Sequence, residues 1–148
     1  MFLGDLGEEE KRTFLILAWK MVSADGRVTN EEREMLQDAQ EEMGLGTADE
    51  SPDCLDDLNE CCKSVTSSKA RALMLLELAS FAFVDRDYDV RERELLRTVA
   101  EIWRLDEISV VRVEEWARKR VELATEAAEV VQEVEMSLLS RQDDLGGQ

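Results

Sequence analysis

Apolar and charged residues recur along most of this chain with a helical period. Phe14, Leu15, Leu17, Ala18, Met21 and Val22 fall on one broad stripe, with Trp19 at its margin. That spacing predicts a first helix over 8–23. Glu8, Glu9 and Glu10 occupy its first turn, where acids complement the positive end of the helix dipole. Asp25-Gly26 forms the break. Thr29 followed by Glu32 reads as a capping box that starts a second helix, with Met35, Leu36, Ala39 and Met43 facing inward and Gly44 at its C-cap. A polar loop follows from Gly46. Ser51-Pro52 predicts the start of a third helix over roughly 53–64, and Thr66-Ser67-Ser68 its end and the next cap. The fourth helix, 69–84, is apolar nearly all round in its second half, the mark of a central element. Glu77 is its one interior charge. The expectation is a cationic partner, with Lys20 the candidate, and a functional carboxylate is the other reading. Asp89 caps a fifth helix, Glu92 closes a second box, and Leu95, Leu96, Val99, Ala100 and Trp103 form its inner stripe.

Ser109 is the expected cap of a last helix reaching about residue 139. Its stripe of Val110, Val113, Ala117, Val121, Ala124, Ala128, Val131, Val134 and Leu138 is too long for one small core to cover. The helix therefore kinks near Thr125 or packs its distal half on a second copy. No segment carries a strand pattern.

Two stretches share a design at an interval of sixty positions. In each, an apolar run ends at an aspartate and a capped, charged helix follows. The register pairs Asp25 with Asp85, Thr29 with Asp89, Glu32 with Glu92, Leu36 with Leu96, Met43 with Trp103 and Leu45 with Leu105. The expected fold is all-α: a compact bundle of about six or seven helices, built on two related helix-turn-helix units and closed by the long C-terminal helix. One domain over 1–141 and a flexible tail over 142–148 complete this picture.

Composition narrows the partners. The formal net charge is −17 and there is no histidine. Nucleic acid is a poor partner, because binding phosphates needs clustered Lys and Arg. Membrane insertion is not expected, since no long uncharged apolar run exists. Cations or a basic protein partner fit better, and plain solubility explains the charge equally well. Acids precede the first apolar run where a signal peptide carries bases, so the expected location is cytoplasmic. Cys54, Cys61 and Cys62 form an odd set with neither CxxC nor histidine, which favours reduced, buried thiols over zinc.

The candidate chemistry lies at the two turns. Asp85, Asp87 and Asp89 open like a calcium loop, but an EF-hand needs Gly and Glu where Val90 and Leu96 stand. A hard-cation site of other geometry remains open. Asp85, Asp87, Asp89 and Glu92 have the spacing to meet at one point, and Asp25, Glu31 and Glu32 form a weaker second set. Calcium, manganese, magnesium or zinc would relieve their mutual repulsion. The competing reading makes Thr29, Asp89, Glu32 and Glu92 capping residues only. Catalysis has no support in nucleophile or phosphate-loop motifs, so no enzyme is expected.

The run Ala24-Asp25-Gly26-Arg27-Val28-Thr29-x-x-Glu32-x-x-x-Leu36 resembles the TerB-like family of helical modules. Leu78-Ala79-x-x-Ala82-x-x-Asp85, then Tyr88-Asp89-x-x-Glu92 and Leu95-Leu96, resembles that family's second half. The resemblance covers about residues 14–105. It implies an all-helical, non-enzymatic module in a stress setting of the tellurite-resistance kind, with metal held by acids. By position that suggestion falls on Asp25, Glu32, Asp85, Asp89 and Glu92. Arg86 stands where the first unit has Gly26, a departure that weakens a second site. The alternative expectation is an interaction or scaffold module that uses its acidic surface or its last helix, as a homodimer or with a basic partner, and holds no metal.

Overall fold

The computed structural model describes residues 2–46, 57–84 and 90–146. Among these the chain forms a short 3-10 turn, Leu3–Asp5, and six α-helices, with no strand. The helices are α1 (Glu8–Val22), α2 (Asn30–Glu42), α3 (Leu58–Ser64), α4 (Ser68–Phe83), α5 (Val90–Ile102) and α6 (Glu107–Gly146).

Local chemistry sets most boundaries as expected. The Thr29 hydroxyl accepts from the Glu32 N–H at 3.2 Å, and the Glu32 carboxylate accepts from the Thr29 N–H at 2.8 Å, so the capping box is complete. Ser67 starts α4 by accepting from the Ala70 N–H at 3.2 Å. The cap of α6 lies three residues before the expected one. Asp106 accepts from the Ser109 N–H at 2.8 Å, so Ser109 supplies the donor and not the cap. Those hydrogen bonds to Ser109 hold the Asp106 carboxyl below its ordinary pKa.

The two helix-turn-helix units end alike. After α2 the Gly44 and Leu45 N–H groups donate back to Glu41 and Gln40 at 3.0 and 2.9 Å. After α5 the Arg104 and Leu105 N–H groups donate back to Glu101 and Ala100, both at 2.9 Å. Both ends therefore close by the same Schellman pattern, which needs a left-handed residue just past the helix. Gly44 takes that conformation at φ 68° with no side chain to clash, whereas Arg104 takes it at φ 60° at a steric cost.

α4 is central, packing against α6, α1 and α5. Leu17 and Met21 of α1, Leu36 of α2, Met74 and Leu78 of α4, and Leu96 and Val99 of α5 meet in one core. Each such side chain contributes about 1.5–3 kcal/mol by leaving water. Cys61 and Cys62 of α3 are buried free thiols in this core, and Cys54 lies outside the described residues. Trp103 closes the core over α3, its indole N–H donating to the Cys62 carbonyl at 2.8 Å.

Glu77 corrects one expectation. It is buried, and its partner is Arg120 of α6 at 2.8 Å, not Lys20. α6 packs on the face of α4 that carries Glu77. The same guanidinium nitrogen donates to the Ser80 hydroxyl at 3.2 Å, and the group lies 5.5 Å from the centre of the Trp116 ring.

α6 shows no kink. It runs unbroken from Glu107 to Gly146, with neither proline nor glycine between these ends. The Thr125 hydroxyl donates to the Val121 carbonyl at 3.0 Å without breaking the helix.

Candidate docking surface

Of the expected metal residues, Asp25, Glu32 and Glu92 lie among the described residues. Asp25 is partly exposed and its carboxylate accepts from the Arg27 N–H at 2.8 Å, forming a local turn. Glu32 is buried and committed to its capping box. Glu92 is buried in the first turn of α5. Asp85, Asp87 and Asp89 lie outside the described residues. Among the described residues, no group of three or more acids or cysteines is placed to hold a metal ion.

A different surface draws the acids and the unpaired apolar residues together. Its spine is α6. From Glu107 to Val121 this helix is fastened to the bundle at two places. Near its start, Glu114 is buried between Arg93 and Arg97 of α5 at 3.3 and 3.2 Å, and Arg97 also reaches Glu107 at 2.7 Å. Near the departure point stands the Glu77–Arg120 pair. Val110 and Ala117 are buried between these clasps. Beyond Val121, Thr125 alone is even partly covered, and every residue from Glu126 to Gly146 is exposed.

The exposed half keeps the apolar period of the buried half. Val130, Val131, Val134, Leu138 and Leu139 line one side, and Val131 is 64% and Leu138 57% open to solvent. Isolated apolar residues on a surface are ordinary, but a continuous row marks a contact face.

At the root of this row lies a cleft of about 610 Å³. Glu77, Ser80 and Phe81 of α4, with Val84 just beyond it, form its floor, and Val121, Ala124, Thr125 and Ala128 of α6 one wall. The other wall is α2, which presents Glu31, Glu34, Asp38 and Glu42 at spacings of three and four. Glu42 accepts from the Leu3 N–H at 3.0 Å. Glu31, Glu34 and Asp38 are exposed and enter no ion pair among the described residues. Arg120 is the only cation lining the cleft among those residues, and Glu77 and Ser80 occupy it.

The row on α2 was present in its spacing, yet only Glu31 of its members is a sequence-derived candidate. Glu34 and Asp38 read equally well as a solvated helix face. Nothing local distinguishes such a face from one wall of a cleft, because the opposite wall lies more than eighty residues away.

Compared with protein-family models, curated proteins and solved structures, the chain matches none. Among the described residues, no helix is long and apolar enough to cross a membrane.

Proposed function

We propose that this protein is a non-catalytic interaction module, and that the outer half of α6, with the cleft at its root, is the surface on which another polypeptide docks. The observation that carries this reading is the uncovered row Val130, Val131, Val134, Leu138 and Leu139 on a helix that is continuous with the core. A helix that leaves its own bundle and keeps its apolar period offers the anchors by which helices bind in grooves or on one another. The resemblance to TerB-like modules favours the same non-enzymatic class.

Photo-crosslinking tests the reading. A benzophenone side chain placed at position 131, 134 or 138 should yield a polypeptide adduct in cells, and one at 133, on the opposite side, should not. Adducts at none of the three apolar positions, or equally at all four, would sink the proposal.

A further inference from the structure

Taking the outer face of α6 as a docking surface, we propose that its occupant is a basic amphipathic helix, seated along α6 with its cationic edge against the acids of α2. The length of the site follows from the row. From Val121 to Leu138 a helix rises about 26 Å, or close to five turns, so the matching helix has roughly 18 residues. The cleft end carries Ala124, Thr125 and Ala128, small side chains that let a second helix approach closely. The outer end carries valines and leucines, which supply larger apolar contacts.

Charge decides the kind of helix. Glu31, Glu34 and Asp38 form one edge of the cleft, exposed and without an ion pair among the described residues. Along the apolar row of α6 itself stands Glu135, and residues 121–140 contain neither Lys nor Arg. A second copy of α6 laid on this face would offer its own Glu135 and no cation to the acids of α2, and like charges across a contact select against that partner. A helix with an alanine- and leucine-rich face and Lys or Arg along its flank sets those cations against Glu31, Glu34 and Asp38 at the cleft end and against Glu135 farther out. Its approach is also favoured by the overall charge of −17.

Two labelled synthetic helices test this with the full chain. Both have 18 residues and the same Ala/Leu face, one flanked by lysines and the other by glutamates. Fluorescence anisotropy reads their binding. The lysine helix should bind roughly tenfold or more tighter than the glutamate helix, and raising salt from about 0.05 to 0.3 M should erode that advantage. The surface variants Glu34→Lys and Asp38→Lys together should weaken the lysine helix by roughly tenfold while leaving the helical circular dichroism and melting midpoint in place. Val131→Lys with Val134→Lys should weaken both helices. Equal binding of the two helices, or no response to the α2 variants, overturns the basic occupant and leaves the docking surface standing. A dimer by sedimentation that Val131→Lys and Val134→Lys dissociate, with neither helix bound, also overturns it and makes a second copy the occupant. A monomer that binds neither helix and yields no crosslink overturns both readings.

Discussion

The inner and outer halves of α6 share one period and meet opposite fates. In the inner half, Val110 and Ala117 are buried, Glu114 is held between two arginines and Arg120 closes on Glu77. In the outer half, Val131, Val134 and Leu138 occupy the continuation of the same stripe and touch solvent. Hydrophobic periodicity therefore states that a face is built to be covered and does not state by what. The inner half finds its cover in α4 and α5. For the outer half, no element among the described residues supplies a cover.

Substitutions along α6 sharpen or break that contrast. The largest effect belongs to the clasp where the halves meet. Arg120→Ala removes the guanidinium from the buried Glu77 carboxylate and should cost about 3 kcal/mol in urea unfolding. A loss near zero would mean that α6 is not fastened at this point. Next comes packing. Ala117 is fully buried, so Ala117→Leu overfills the interior and should cost about 2 kcal/mol, whereas Ala127→Leu on the outer half should stay within about 0.5 kcal/mol. Equal costs would erase the distinction between the halves.

The thiols offer a third comparison. Burial, reinforced by neighbouring Cys61, pushes the Cys62 pKa from 9.0 to about 11. The unfolded chain releases this proton first. Cys62 thus contributes no pH dependence below pH 9, and stability should fall as pH rises from 9.0 towards about 11. Cys62→Ala should flatten that part of the curve. In native protein at neutral pH, Cys62 should resist a thiol reagent that modifies a cysteine introduced by Val134→Cys at once. Rapid labelling of Cys62 would show that the core opens more readily than its packing implies. The smallest effect is on folding itself: Val131→Lys with Val134→Lys should change the unfolding free energy by no more than about 0.5 kcal/mol. A cost of several kcal/mol would place those valines inside a contact that the protein needs in order to fold.

The contrast also explains what was legible beforehand. The breaks at Asp25-Gly26 and Thr66-Ser67-Ser68, the Thr29–Glu32 box and the Gly44 cap are each decided within a few residues, and each stands in the structure. The sixty-residue repeat extends to the helix ends, where Arg104 takes a glycine-like conformation because the Schellman pattern demands it. The carboxylates were harder. Asp25 and Glu32 have the spacing of ligands, and each gives one oxygen to a backbone N–H nearby. Asp85, Asp87 and Asp89 lie outside the described residues, and the cation expectation for them is open to a direct titration.

From its order of residues alone, this chain determines that it is helical, where most of its helices begin and end, and which faces are apolar. Those properties depend on backbone hydrogen bonds, caps and side-chain period, all of which act over one or two turns. Tertiary structure alone decided that Glu77 pairs with Arg120, that α2 and α6 stand across a cleft, and that the outer half of α6 stays uncovered among the described residues. These depend on how rigid helices cross, and a crossing brings together side chains whose separation along the chain carries no local signal.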